Sequence, residues 1–167
     1  MATSATPPKP SILDKLLAGS IEAGARPHQH FPVPRLDRFG EADLRGVIQR
    51  DVALLLNDIQ FEVAVPLDDY PEVRTSVLNQ GLPELTGRAL DSDTLARRAI
   101  EITATLRAFE QRLRPETIRV VFDTSRVRAE NKLHFSVNAE IRNAVEESWV
   151  QFTTSVDLDD GRIEVAS

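Results

Sequence analysis

The sequence changes its hydrophobic period once, at Pro115, and this change limits the folds that are open to it. Before Pro115, apolar residues recur at intervals of three and four, which is the spacing of helices with one buried face. After Pro115, apolar and polar residues alternate, which is the pattern of strands with one buried face. The order predicts an α+β domain, with N-terminal helices on one face of a C-terminal antiparallel sheet of three or four strands.

Three helices are predicted before Pro115. A short helix begins after Ser11, whose hydroxyl can cap it, and is expected to stop at Gly19. A second covers residues 41–58, and a central helix begins with Ser92 as its cap and continues to Pro115. The apolar stripe of the short helix consists of Ile12, Leu13, Leu16 and Leu17. Because so short a helix is unstable alone, this stripe is expected to dock either on the same chain or on a partner.

A long irregular segment, residues 59–91, separates the second helix from the central one. Loops of this length in compact domains are usually functional or packed on their own side chains. Asn79 and Gly81 tolerate positive φ angles, as expected of a loop that wraps around helices. The segment also contains the apolar residues Val77, Leu78 and Leu82. We expect them either to complete the core or, where exposed, to contact a partner.

The alternating region after Pro115 predicts four strands. The inward-facing residues are Ile118, Val120 and Phe122, then Leu133, Phe135, Val137, Ala139 and Ile141, then Val150, Phe152, Thr154, Val156 and Leu158, and finally Ile163 and Val165. Residues 159–161 form the hairpin turn before the last strand, residues 162–165. This strand lacks the proline and lysine that protect sheet edges, so we expect its edge to be available for a partner's strand.

Composition narrows the functional classes. The chain has no cysteine, which excludes disulfides, thiolate metal sites and a catalytic thiol. His28, His30 and His134 lack metal-ligand spacing, and glycine-rich phosphate motifs are missing, so no metal or cofactor is expected. Twenty-six acidic against 20 basic residues argue against nucleic-acid binding. With no apolar run of membrane-spanning length and no signal sequence, we expect a soluble, cytoplasmic protein.

Three regions divide the chain. Residues 1–10 are small, polar and rich in proline, and are expected to form a disordered tail. Residues 11–40 hold the short helix and an extended proline-rich arm, and residues 41–167 form the α+β domain.

The charged segment FEQRLR, residues 109–114, is placed at the end of the central helix. Residues two positions apart on a helix point to different sides, so Glu110 and Arg112 are not expected to pair with each other. A carboxylate is also disfavoured at a helix C-terminus by the helix dipole. Glu110 is therefore expected either to pair with Arg107 or Arg114, or to meet a partner protein.

Paired carboxylates leave one enzymatic alternative open. A glycoside hydrolase needs two carboxyl groups at a defined separation, and Glu110 and Asp123 are one candidate pair. Sugar clefts also use aromatic rings for stacking, and the chain has a single tryptophan and a single tyrosine. A lysozyme-like glycan hydrolase is therefore the alternative to a protein without catalytic activity.

Three segments resemble the TssE family of type VI secretion system baseplate subunits. They are SILDKL at residues 11–16, YPEVRTSVLNQGLPELTG at residues 70–87 and FEQRLR at residues 109–114, followed by antiparallel strands. The middle segment matches the family's SVLN(Y)GLP(D/E)(L/F)(T/S)G pattern most closely. The family is related to a lysozyme-like wedge subunit of contractile phage tails. Its Glu-Pro-Arg triplet corresponds here to Glu110, Gln111 and Arg112, so the proline is replaced.

The resemblance implies a structural role without catalysis or cofactor. TssE proteins join the wedge proteins TssF and TssG, with TssK, in a cytoplasmic baseplate docked to the inner-membrane complex. The contractile sheath of TssB and TssC polymerises from that baseplate, and a related sheath domain accepts strands from neighbouring subunits. The residues expected to bind partners are Glu110, Arg112, Arg114, Ile12, Leu13, Leu16, Arg162 and Glu164.

Overall fold

The computed structural model describes residues 7–24, 33–84, 91–123, 132–142, 148–158 and 162–166. Its α-helices are α1 (Ile12–Glu22), α2 (Glu41–Asn57), α3 (Pro71–Arg74) and α4 (Ser92–Phe109). Its strands are β1 (Arg119–Phe122), β2 (Lys132–Glu140), β3 (Trp149–Asp157) and β4 (Ile163–Ala166). Helices precede strands, so the α+β prediction is confirmed. Residues 1–6 of the predicted tail, residues 25–32 of the proline-rich arm and the hairpin turn at 159–161 lie outside the described residues.

The four strands form one antiparallel sheet in the order β1-β2-β3-β4, in which each strand pairs with the next along the chain. The longest pairing places Phe135 opposite Thr154 and Val137 opposite Phe152. Side chains that face the helices are buried and alternate with more exposed ones along β2 and β3. All five inward-facing residues predicted for the second strand are buried, which confirms that prediction.

Helices α2 and α4 cover the apolar face of the sheet. Helix α2 packs on β4, and α4 packs on β1. The core between the layers contains the fully buried Ile48 and Val52 of α2, Ile102 and Leu106 of α4, and Phe135 and Phe152 of the sheet. Each such side chain contributes about 1.5–3 kcal/mol to folding. The two helices are thereby fixed on the sheet, and their ends lie in defined positions.

Helix α1 begins as predicted but ends later. The Ser11 hydroxyl accepts a hydrogen bond from the Asp14 N–H at 3.1 Å, while the Asp14 carboxylate accepts one from the Ser11 N–H at 2.7 Å. This reciprocal pair is a capping box. The predicted stop at Gly19 is wrong, because the helix continues to Glu22. Gly24, with a φ of 92°, follows it in the left-handed region that ends many helices.

Helix α4 differs from its prediction at both ends. Its cap is Asp91, whose carboxylate accepts a hydrogen bond from the Thr94 N–H at 2.8 Å, and Ser92 is the first helical residue. At the other end the helix stops at Phe109 and does not reach Pro115. The chain leaves the helix early because Leu113 forms an antiparallel bridge with Ile141, just beyond β2. Residues 110–112 therefore lie in a turn.

The segment between α2 and α4 is built from short helical turns, Phe61–Val63, α3 and Val77–Asn79. Asn79 is buried; its side chain accepts a hydrogen bond from the Glu62 N–H at 2.9 Å and donates one to the Arg74 carbonyl at 3.2 Å. Leu82 joins the core as expected, but Val77 and Leu78 are 73% and 71% exposed. Of the two alternatives given for these residues, completing the core holds for Leu82 and fails for Val77 and Leu78.

Candidate functional site

A chain of alternating charges links α1, α2 and the turn after α4. Its members, in spatial order, are Asp14, Arg50, Asp51, Arg112 and Glu110. We call this set the ion chain. It joins three segments that are far apart in the sequence, so it fixes their positions relative to one another.

The first link attaches α1 to α2. Asp14 is fully buried, and its carboxylate accepts a hydrogen bond from Arg50 Nη1 at 2.7 Å. The Arg50 side chain is 1% exposed, and its Nε donates to Asp51 Oδ1 at 2.7 Å. Helix α1 therefore docks on its own chain through a charged residue. The apolar stripe was expected to dock either on this chain or on a partner. Three of its residues, Ile12, Leu13 and Leu16, are exposed and do not dock on this chain.

The second link places Glu110 and Arg112 together. Arg112 Nε donates to Glu110 Oε1 at 2.8 Å, and Arg112 Nη2 contacts Glu110 Oε2 and Asp51 Oδ2, the latter at 2.9 Å. The prediction that Glu110 and Arg112 cannot pair is wrong. It assumed helical geometry at 110–112, whereas the helix has already ended at Phe109 and the turn brings both side chains to one side.

The alternative pairs expected for Glu110 are not formed. The Nε of Arg107 donates instead to the carbonyl of Pro115 at 3.0 Å, and Arg114 forms an ion pair with Glu140 at 3.3 Å. Gln111 stands where the TssE proteins that the segment resembles have proline. Because α4 ends before Gln111, this glutamine occupies the turn and does not extend a straight helix.

Hydrogen bonds and charge stabilise the ionised forms of Asp14 and Arg112. Burial opposes the ionisation of Asp14, but hydrogen bonds from Ser11 and Arg50 outweigh it, so the pKa of Asp14 lies below its ordinary value. Burial likewise opposes the charge of Arg112, but Glu110 and Asp51 outweigh it and raise the pKa of Arg112. Both shifts favour the charged forms of Asp14 and Arg112, at the two places where the ion chain joins α2 to α1 and to the turn.

The lowered pKa of Asp14 predicts that α1 is released in acid. A carboxyl with a lowered folded pKa stabilises the folded state above its ordinary pKa of 3.8, and this contribution is lost as the pH falls through the lowered value. A spin label on Ser20→Cys, unique because the chain has no cysteine, should become mobile below pH 3.8. In the Asp14→Asn background the label should be mobile at every pH.

Two results would contradict this assignment. One is a label mobility that changes only when α4 unfolds, as followed by circular dichroism. The other is an Asp14→Asn variant that reproduces the acid transition of the parent. Asp91→Asn is the matched control, because the pKa of Asp91 is lowered by hydrogen bonds from Thr94 at the cap of α4, away from α1. Asparagine is also an effective cap, so the transition should persist in this variant.

A groove of about 470 Å³ lies along the ion chain. Its charged wall contains Asp51, Glu110 and Arg112, and its apolar wall contains Leu13 of α1 and Leu54 of α2, which are both exposed. The turn contributes Gln111 to the same groove. An apolar wall facing a set of fixed charges is suited to hold a protein segment in one orientation.

The two edges of the sheet differ in their backbone partners. The hydrogen bond from the Asp157 N–H to the Arg162 carbonyl fixes the phase of the β3-β4 ladder, so Ile163 and Val165 direct their backbone groups outward. Asn57, the last residue of α2, donates to the Ile163 carbonyl at 2.7 Å and accepts from its N–H at 2.9 Å. The expectation that the last strand is unguarded is wrong at Ile163.

At the β1 edge, the hydrogen bond from the Asp123 N–H to the His134 carbonyl fixes the phase of the β1-β2 ladder. This phase directs the backbone groups of Val120 and Phe122 away from β2. Beside this edge lies a groove of about 240 Å³ between β1 and α4, whose lining includes Ile100, Ala104 and Val120. The geometry fits an added strand with apolar side chains.

The candidate partner residues fall at separate places on the surface. Ile12, Leu13 and Leu16 form an exposed stripe on α1, and Glu110 and Arg112 lie beside it through the ion chain. Arg162 and Glu164 belong to the opposite end of the fold, at β4, where Glu164 contacts Lys132 at 3.1 Å. Arg114 is paired with Glu140 of β2. The structure therefore brings only the α1 residues and the Glu110–Arg112 pair together.

Sequence reasoning missed Asp14, Arg50, Asp51 and Asn57. The capping-box spacing of Ser11 and Asp14 was a local signal for the helix start, but nothing local signals that Asp14 also meets Arg50. Arg50 and Asp51 appear in the sequence as ordinary polar residues of an amphipathic helix. Asn57 is a residue type that is common at helix ends. Its contact with the sheet edge depends on packing between segments far apart in the sequence.

The carboxylate pair suggested for glycan hydrolysis is not assembled. The Arg112 carbonyl accepts a hydrogen bond from the Arg142 N–H, whereas the Asp123 N–H bonds to the His134 carbonyl. Along β2 these two points are roughly 25 Å apart, compared with the 5–10 Å that glycosidases require. The proposed pairing of Glu110 with Asp123 is therefore wrong. Both oxygens of Glu110 also contact the Arg112 guanidinium.

The described residues also bear on metal and membrane binding. Those residues contain no group of three His, Asp or Glu side chains that could hold a metal ion, while His28 and His30 lie outside them. No helix among the same residues has both the length and the apolar character needed to cross a membrane.

Comparison with protein families identifies the domain. The family model of baseplate wedge protein gp25 matches residues 42–145, from the start of α2 past the end of β2. The matched region contains the Glu110–Arg112 pair, Arg50, Asp51 and the β1 edge. Searches of curated proteins and of solved structures found no significant match. Since the family model covers well over half of the sequence, the chain belongs to the baseplate wedge protein gp25 family, whose members are structural proteins of phage-tail-like baseplates.

Proposed function

We propose that this protein is the TssE-type subunit of a type VI secretion system baseplate and works without catalysis. In this role it joins the wedge proteins TssF and TssG, with TssK, in a cytoplasmic baseplate docked to the inner-membrane complex. It also provides the template on which the sheath of TssB and TssC polymerises. The proposal rests on the family membership and on the three sequence segments that resemble TssE proteins.

The observation that carries the template role is the outward direction of the Val120 and Phe122 backbone groups at β1. An edge with unpaired N–H and C=O groups is the element that strand addition requires. The groove beside α4 provides a place for the side chains of the incoming strand. The β4 edge is less suitable because Asn57 occupies the backbone groups of Ile163.

Wedge contacts are assigned to a surface separate from the β1 edge. The groove along the ion chain offers Glu110, Arg112 and the exposed Leu13, and the stripe on α1 continues the apolar surface through Ile12 and Leu16. Arg114 extends the charged part of this surface. Arg162 and Glu164 remain candidate contacts at β4. This division leaves the β1 edge free for the sheath while the wedge proteins are bound.

A pair of proline substitutions tests the template role. Val120→Pro removes an outward-pointing N–H from the β1 edge without removing a hydrogen bond between β1 and β2, since edge strands tolerate proline at such positions. Val165→Pro makes the same change at the β4 edge, and both valines are half-buried. Fluorescently labelled sheath should be lost in cells carrying Val120→Pro and retained in cells carrying Val165→Pro.

Two measurements make the result interpretable. Circular dichroism should show that both purified variants remain folded, and co-purification with TssF and TssG should be the same for both. Normal sheath assembly with Val120→Pro would overturn the assignment of β1. Equal loss with both substitutions, in folded protein, would also contradict it.

A further inference from the structure

The segment between α2 and α4 presents an apolar surface that neither the sheet edge nor the ion chain uses. Its side chains, which we call the loop patch, are Ile59, Phe61, Val63, Val77 and Leu78. All five are exposed, with exposed fractions from 45% to 73%. The two halves of the patch lie side by side, because the Asn79 side chain bonds to the Glu62 N–H and Ile59 bridges to Leu82. Exposed apolar side chains gathered on one segment in this way are typical of a binding site.

The segment that carries the loop patch, whose charged residues we call the rim, is strongly acidic. Residues 58–84 contain six carboxylates and one arginine, and they hold five of the six excess negative charges of the chain. The arginine, Arg74, is already bonded to Glu62 and Asp68. Among the described residues, no cation partner is found for Asp69 or Glu72. Charge complementarity therefore requires a basic occupant.

The same charge argues against two other occupants. A second copy of this chain would bring two acidic rims together, which costs free energy through like-charge repulsion. Anionic lipid surfaces attract basic segments, so an acidic rim does not suit a membrane. A basic polypeptide satisfies both the apolar centre and the rim.

The backbone of the loop patch indicates the form of that polypeptide. The N–H groups of Val63 and Asn79 bond to carbonyls within their own turns, and the N–H of Leu82 bonds to the Asp58 carbonyl. The Glu62 N–H is taken by Asn79. Because these N–H groups already bond to acceptors within the segment, they cannot pair with the backbone of an added strand. Recognition must come from side chains, which suits a partner whose backbone is already hydrogen-bonded, namely a helix.

We propose that the loop patch binds a basic amphipathic helix of a partner protein. The apolar face of this helix packs on Phe61, Val77 and Leu78, and its lysine or arginine residues lie opposite Asp69 and Glu72. This site is separate from the β1 edge and from the groove along the ion chain. It therefore gives the protein a third contact, independent of the function proposed above.

A synthetic peptide tests this directly with the full-length chain. The probe is a fluorescein-labelled amphipathic helix of leucine and lysine, about 18 residues long. Its two controls are a scrambled peptide of the same composition and a version with glutamate in place of lysine. Fluorescence anisotropy should show binding of the basic helix only, and binding should weaken in high salt.

Substitutions then locate the site. The double variant Val77→Ser with Leu78→Ser should weaken binding by about tenfold or more, because two exposed apolar contacts are removed. Asp69→Asn with Glu72→Gln should weaken binding mainly in low salt. The matched control is Ile100→Ser on α4, which removes an equally exposed apolar side chain from another surface, 69% exposed, and should leave binding unchanged.

Several outcomes would overturn the proposal. These are equal binding of the basic helix to the parent and the double variant, and equal binding of the scrambled or acidic peptide. Sedimentation that reveals a dimer abolished by the double variant would assign the patch to self-association. Vesicle binding abolished by that variant would assign it to a membrane. None of these results depends on sheath assembly, so they are separable from failure of the template role.

Discussion

Replacing Gly81 with alanine should lower the free energy of unfolding by about 3 kcal/mol or more. Gly81 has a φ of 109°, a conformation that side chains with a Cβ rarely adopt. A Cβ at this position would also overlap the backbone carbonyl of Asp58. That carbonyl accepts the Leu82 N–H at 2.9 Å and cannot move without breaking the bridge between Ile59 and Leu82. Urea unfolding followed by circular dichroism measures the loss.

Two other glycines separate the effect of backbone strain from the effect of the overlap with Asp58. Gly24 has a φ of 92° with open space around it, so Gly24→Ala carries the backbone strain without the overlap, at the end of a terminal helix. Gly46 lies inside α2 with nothing within 4 Å, so Gly46→Ala should raise stability by about 0.5–1 kcal/mol. A Gly81→Ala variant no less stable than Gly24→Ala would show that the close approach to Asp58 is not tight.

The second large effect is expected from Arg50→Met, which removes the cation at the centre of the ion chain. Breaking one partner of a buried ion pair costs about 3–5 kcal/mol, because the remaining charge stays buried without compensation. Here that charge is the fully buried Asp14. Since Asp14 lies on a terminal helix, the domain can relieve the cost by releasing α1. We therefore expect hydrogen exchange to show loss of protection in α1, with α4 protected as before.

A surface arginine provides the control for Arg50→Met. Arg74 also contacts two carboxylates, Glu62 and Asp68, but its side chain is 44% exposed. Exposed ion pairs contribute about 0–1 kcal/mol, so Arg74→Met should change stability little. The double variant of Arg50→Met with Asp14→Asn should recover part of the loss. Retained protection of α1 in Arg50→Met would show that the buried pair does not hold this helix.

The sheet was predictable because its signal is local. Alternation over β2 assigns each side chain to a face, and one face must be buried, so Leu133, Phe135 and Val137 follow directly from the sequence. The antiparallel order also follows, because short connections join neighbouring strands. No longer-range information was needed for these residues.

The end of α4 was not predictable from the same kind of pattern. Leu106, Phe109 and Leu113 continue the three- and four-residue spacing of the helix. Leu113 is buried, as the helical spacing predicts. However, its position in the core is fixed by the bridge with Ile141, because the helix has already ended. A pairing between residues so far apart in the sequence leaves no local signal.

The candidate site was predictable only in part. The resemblance to TssE proteins identified Glu110 and Arg112, but the helical assumption gave them the wrong relation to each other. Their connection to Asp51, and from there to Arg50 and Asp14, depends on how α1 and α2 pack. The sequence left both burial and exposure open for Val77 and Leu78 for a similar reason, since the outcome depends on the local turn.

The side chain of Asn57 makes the two edges of the sheet unequal. Its amide donates to the carbonyl of Ile163 and accepts from its N–H, as a neighbouring strand would. A strand added at β4 therefore could not pair with Ile163 while Asn57 is in place. The β4 margin is thus occupied at Ile163, whereas at β1 the backbone groups of Val120 and Phe122 point outward. In the template role proposed above, strands are added outward from β1, and the first subunit then sets the polarity of the assembly.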